Sequence, residues 1–289
     1  MKEVLQQHLY SIKINFSQTI RLSGYSVVLM FIGVSLFSFI VGDKGSFGNP
    51  LVSVLVYFST IMIHEAVHGL FFKLFGGNPR YGVGMMYYIL PYAYATSEGD
   101  PYSRRQMTYI SLAPLFIICA LAVFVAALFP STAPYAAVAF VGNLAGAIGD
   151  MWLIRQIWRF RKIPGVMFVD NKNSIEVYGE QTLPKRLADS LAARDKAAGW
   201  WPRFSNAVIV TFFGLVISSM LVSLVLSFLN YQGRFTLGSE GFKLFGFDLS
   251  NGGFTLSINF LPVLCAAILV GTIIASAANS KSTKVHTTK

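Results

Sequence analysis

"LVSVLVYFSTIMIHEAVHGLFFKLFGG", residues 51–77, decides how this chain is read. The run is apolar enough to cross a bilayer, for which about 20 residues of helix suffice. Its middle nevertheless holds His64, Glu65 and His68. Residues four apart lie one above the other on a helix face, so the two imidazoles can share one metal ion. Glu65 projects about 100° round the helix, beside such an ion rather than on it. That suits a base acting on water next to the metal. The competing reading is a structural His/Glu cluster between helices. Ionisable side chains inside a span are expensive and functional by default, which favours the metal.

The rest of the chain has the same character. Of 289 residues, 54% are hydrophobic and 12% charged, against about 25% charged in an ordinary soluble domain. Apolar blocks of span length fall at 25–41, 51–75, 107–129, 134–160, 205–229 and 261–278. The fold class expected is an all-α membrane protein with about six transmembrane helices. Residues 1–24 form a cytoplasmic N-terminal segment, either amphipathic or an unstructured lead-in. Residues 25–160 form a four-helix core holding the metal, and 161–203 a cytoplasmic insertion. Two further spans occupy 204–278, with an outer loop at 230–260, and 279–289 form a tail.

The net charge of +10 follows membrane side. With six spans, all but Lys44, Arg234 and Lys243 of the 23 Lys and Arg fall on one side. By the positive-inside rule both termini are cytoplasmic, and a plasma-membrane location is expected. The basic excess is then topological, which argues against nucleic acid as a partner. Cys119 and Cys265 lie inside spans as packing residues, so no disulfide framework is implied. No cleavable leader is expected, because the first 24 residues are too polar.

A hydrolytic zinc site uses three protein ligands and leaves a position open. The other histidines, His8 and His286, lie in the terminal segments. Among the acidic residues only Glu65 and Asp150 fall inside spans, which singles out Asp150 as third ligand. Depth agrees. His64 and Asp150 lie 13 and 16 residues after the outer ends of their blocks, or roughly 20–24 Å at helical rise. Around Asp150 the sequence is "VGNLAGAIGDMW". Gly142, Gly146 and Gly149 are read as a close-packing face. Asn143, seven residues before Asp150, either donates to a substrate carbonyl or developing oxyanion, or is interhelical glue.

These residues resemble intramembrane zinc metalloproteases of the site-2 protease kind. There an H-E-x-x-H helix is completed by an aspartate that follows an asparagine in N-x-x-P-x-x-x-x-D-G. "HEAVH" matches fully. "NLAGAIGD" matches in part: the spacing is one residue shorter, Ala145 and Gly146 replace the proline region, and Met151 follows the aspartate. A closer resemblance is to the putative zincin peptidase family of membrane proteins, through His64 to Gly69, Pro91 to Ala93, Asn143 and Gly149–Asp150. The resemblance implies zinc held by His64, His68 and Asp150, with Glu65 as base. It also makes the aromatic segment 82–95 a candidate edge for pairing with unwound substrate.

Elsewhere, "GVMFVDNKNSIEVYG" reads as a hairpin, "LPKRLADSLAARDKAAGWW" as a short helix starting near Pro184, and "FTLSINF" as an outer strand. Segment 82–95 reads as irregular or extended. Three functions fit. One is a zinc peptidase cutting a transmembrane or membrane-associated protein in or beside the bilayer. Another is a metal-binding membrane protein for ion transport or sensing. The third is an inactive protease relative. No chain of polar residues in the other spans marks an ion path, and a scaffold needs no base, so the peptidase is preferred.

Overall fold

The structure, a computed structural model, describes residues 7–42, 48–86, 90–171, 174–195, 200–229, 231–239, 242–249 and 255–286. The helices are α1 (Phe16–Val41), α2 (Pro50–Leu74), α3 (Arg104–Leu128), α4 (Ala133–Gly146), α5 (Ile148–Ile157), α6 (Lys185–Asp195), α7 (Trp200–Phe228) and α8 (Phe260–His286). The strands are β1 (Gln7–Ile12), β2 (Arg80–Met86), β3 (Leu90–Thr96), β4 (Pro101–Ser103), β5 (Met167–Asn171), β6 (Ser174–Gly179), β7 (Gly233–Ser239), β8 (Phe242–Leu249) and β9 (Thr255–Ile258). Six helical stretches are long and apolar enough to cross a membrane: α1, α2, α3, Pro130–Phe160, Trp200–Ser219 and Phe260–Ala277. That is compatible with a multi-pass membrane protein. Large apolar side chains such as Phe39 point outward along these helices.

The molecule is mainly helical, but it holds more sheet than an all-α reading allows. The N-terminal segment, expected as an amphipathic surface element or an unstructured lead-in, contains β1, which pairs antiparallel with β6. The sheet order is β1-β6-β5-β4. β1 and β6 lie more than 150 residues apart in the chain, so no local periodicity announces their pairing. Residues 82–86 and 90–95 of the aromatic segment belong to the antiparallel pair β2 and β3, with Tyr81 opposite Ala95 and Gly84 opposite Tyr92. Tyr87 and Tyr88 lie outside the described residues. The hairpin expected around "DNKNS" is β5–β6, and the helix expected after Pro184 is α6. The last span runs on as α8 to His286, through most of the expected tail.

The chain divides into two compact units. The first is Met1–Asn15 with Leu22–Ala192, and the second is Phe16–Arg21 with Ala193–Lys289. In the second, α7 and α8 pack along each other. A side chain at Gly271 would collide with Val208. Phe245 and Phe247 of β8 form a small core there with Val263.

In the first unit, the four-stranded sheet and the helices share one core that includes Phe72, Met107, Ile157, Phe160, Phe168 and Val177. Full burial of each such side chain is worth about 1.5–3 kcal/mol. This core fixes the end of the bundle nearest the histidines. Helix α2 starts at Asn49, whose Oδ1 accepts from the amides of Leu51 and Val52 at 2.9 and 3.3 Å, satisfying two of the donors a helix start leaves open. Ser103 and Gln106 form a capping box on α3. The buried stripe of α3 runs through Met107, Ile110, Ser111, Pro114, Ile118, Ala122 and Ala126, the spacing of one helical face. A turn at Ala147 separates α4 from α5, which puts Asp150 in the first turn of α5. A carboxylate is favourable there.

Candidate metal centre

His64, Glu65 and His68 project from α2 into a cavity of about 260 Å³. Asp150 enters it from α5, Ser111 from α3, Ala95 from β3 and Asp170 from β5. His64 Nε2 lies 3.2 Å from Asp150 Oδ2, and His68 Nε2 lies 3.4 Å from Asp150 Oδ1. The two Nε2 atoms are 3.2 Å apart. The three ligand atoms all fall within 4.8 Å of one another. A tetrahedral zinc with bonds near 2.0–2.1 Å has ligand–ligand edges of roughly 3.3–3.4 Å, close to the separations seen here.

The nitrogens behind this group settle its chemistry. His64 Nδ1 lies 2.8 Å from Asn143 Oδ1. His68 Nδ1 lies 2.8 Å from the carbonyl oxygen of Ile110. Both partners can only accept, so each Nδ1 carries a proton and donates it. Asn143 is held in that orientation because its Nδ2 donates to the carbonyls of Pro114 and Leu115 at 3.1 and 3.3 Å. It also lies 3.3 Å from Cys119 Sγ. Each imidazole then turns its Nε2 toward the other ring and toward a carboxylate, the nitrogen a metal would use. Two imidazoles with one carboxylate are a zinc donor set.

Glu65 stands beside this group. Its Oε2 accepts the Ala95 amide at 2.8 Å. That bond joins the helix to β3: the Ala95 amide goes to Glu65 and not to Tyr81, the residue opposite it in the hairpin, so it points away from β2. Gly69 allows the approach. A side chain there would run into the Tyr81 ring.

Four of the five residues picked out by sequence, His64, His68, Asp150 and Glu65, line the cavity. Asn143 sits behind His64, buried, with its amide already engaged. The three glycines divide. Gly142 packs against the Tyr57 ring, as a close-packing face requires. A side chain at Gly146 or Gly149 would meet nothing within 4 Å. Both line the cavity, so their small size opens space rather than closing a contact.

Asp170 is a site residue that span counting passes over, because it belongs to β5. No alternation marks it, because Phe168, Val169 and Asp170 are all buried on this short strand. Asp170 accepts from the Thr96 side chain and from the Ser97 amide, the latter at 3.4 Å. Burial outweighs these donors and pushes its carboxyl up to about 6. The same turn is braced by Tyr102, whose hydroxyl donates to Ser97 Oγ at 2.7 Å. Burial pushes that phenol up to about 12.

The geometry thus describes a group from α2 and α5 with the donor set and spacing to hold a metal ion, with the Glu65 carboxylate beside it and a cavity in front. Residues 57–163 match the family model described as putative zincin peptidase. The matched stretch holds His64, Glu65, His68, Asn143 and Asp150. It supports a zincin-like family and points to a zinc metallopeptidase. No curated protein and no solved structure matches the chain.

Proposed function

We propose that this protein is a zinc-dependent peptidase of the membrane. In this reading it hydrolyses a peptide bond of a transmembrane or membrane-associated protein substrate, in or just beside the bilayer. The observation that carries the reading is the meeting of His64, His68 and Asp150 at tetrahedral-edge separations with Glu65 on the same cavity. Six apolar stretches of span length support a multi-pass chain, and the basic residues favour cytoplasmic termini.

Zinc, when bound, would polarise the scissile carbonyl and activate water. His64, His68 and Asp150 would hold it. Glu65 takes the proton from the attacking water and returns it to the leaving amine. The Ala95 amide holds one oxygen of Glu65, so that the other faces the proton. Asn143 acts by holding the Nδ1 proton of His64, a positioning role. The outer edge of β3 is the substrate-docking edge. Ala93, like Ala95, lies on the alternate set of residues that turn main-chain groups away from β2. An extended substrate can add there as a further strand, which exposes its carbonyls to the metal.

The test is zinc per chain in detergent-solubilised protein, beside His64→Ala and Asp150→Ala. About one zinc in the wild type, lost in both variants, is expected. A well-folded wild type that takes up no zinc when zinc is supplied overturns the enzyme reading.

A further inference from the structure

We infer that Pro114 positions His68 by freeing the Ile110 carbonyl. The inference rests on the zinc reading above for its consequence, but not for its geometry. In an α-helix the carbonyl of residue 110 accepts the amide of residue 114. Proline has no amide hydrogen, and its ring presses against that same carbonyl. Pro114 lies inside α3, on its buried face. The Ile110 oxygen therefore has no donor from position 114, in a part of the helix where Ile110 itself is buried. A buried carbonyl seeks a donor. It receives one from another helix, the Nδ1–H of His68 at 2.8 Å.

The consequence reaches the ligand atoms. A carbonyl can only accept, so it allows one tautomer of His68 and fixes the ring plane. Nε2 is then turned to face Asp150 Oδ1, 3.4 Å away. Pro114 touches the site a second time, since its own carbonyl accepts from Asn143, the residue that orients His64. One proline on α3 thus stands behind both imidazoles. The plainer account is that Pro114 only bends α3 for packing. The two accounts part at the amide hydrogen: the bend needs the ring, whereas the acceptor needs only the missing N–H.

The experiment compares three full-length chains in detergent: wild type, Pro114→Ala, and a chain with the α-hydroxy analogue of alanine at position 114. That ester lacks both the ring and the N–H. Zinc affinity is read by competition with a chelator. Pro114→Ala restores an amide that competes for the Ile110 oxygen, and zinc should bind about 10–100-fold more weakly. The ester variant should stay near the wild type. Unchanged affinity in Pro114→Ala overturns the inference, and so does an ester variant as weak as the alanine variant.

Nitrogen-15 spectra of labelled histidine supply a readout independent of peptidase activity and of variant folding. Nδ1 of His68 should carry a proton in the wild type, with or without zinc. A His68 protonated on Nε2 alone would falsify the inference. A wild type that binds no zinc would sink the proposed function, while the spectra would still decide the orientation of His68.

Discussion

Helices α2 and α3 are both 25 residues long and both apolar, yet they serve the site in opposite ways. Helix α2 gives side chains: two imidazoles and a carboxylate on adjoining faces. Helix α3 has no charged side chain from Met107 to Leu128. It gives main-chain oxygens instead. Ile110 holds His68, while Pro114 and Leu115 hold the asparagine that holds His64. The difference separates two tasks. Reactive groups must be particular side chains, whereas their orientation can be set by any acceptor in the right place. A metal site depends on both, because a ring turned to the wrong tautomer is no ligand.

The strongest way to break this division is to remove reactivity while leaving the holding intact. Glu65→Gln keeps the shape and an acceptor for the Ala95 amide but removes the base. Loss of one positioned general base costs typically about 10²–10⁴ in rate. Cleavage of a membrane substrate in vesicles should fall by that order, with zinc content equal to wild type. Zinc lost together with cleavage would mean that Glu65 belongs to the metal's holding group, and that α2 does not separate the two tasks.

A smaller effect tests support from outside the helices. Asp170 is buried and its carboxyl is pushed up to about 6 from 3.8. The folded state therefore holds a proton that the unfolded chain releases between about pH 4 and 6. The stabilisation is fully present below pH 4 and is lost as pH rises through 6. It amounts to at most about 3 kcal/mol, at 1.36 kcal/mol per pH unit. Asp170→Asn has no proton to lose. The gap in unfolding temperature between variant and wild type should move in the variant's favour from pH 4 to 6.5. A gap that stays flat over that range would show that Asp170 stays charged and that other donors hold it.

This division also explains what could be seen without a structure. His64, Glu65 and His68 were legible because a polar cluster in an apolar helix has few structural explanations. Asp150 was legible by depth, since helical rise converts residue count into position. The six helical stretches of span length were legible from length and hydropathy. The Ile110 carbonyl was not, because every residue has one, and only the packing of α3 against α2 selects it. Nor was β1, whose six residues find their partner in β6, more than 150 residues away. Asp170 was hidden for a related reason. A strand of five residues is too short to reveal its buried face, and Asp170 lies outside every apolar block of span length.

The smallest effect sharpens the comparison within one helix. Gly142 and Gly146 are both on α4, four residues apart, and as sequence they look alike. A side chain at Gly142 would come within 3.0 Å of the Tyr57 ring, whereas one at Gly146 meets nothing within 4 Å. Alanine in place of glycine favours a helix by about 1 kcal/mol. At Gly146 that gain is unopposed, so Gly146→Ala should be neutral or slightly stabilising in thermal unfolding. At Gly142 the new methyl must push the Tyr57 ring, and overpacking costs about 1–3 kcal/mol. The net result should be a loss of up to about 2 kcal/mol, the difference of those two terms. Zinc content should survive both changes, since neither residue supplies a ligand or an acceptor to one. If Gly146→Ala proved the more damaging, the space beside it would have to be filled in the working protein, and the cavity would be narrower on the α4 side than its lining implies.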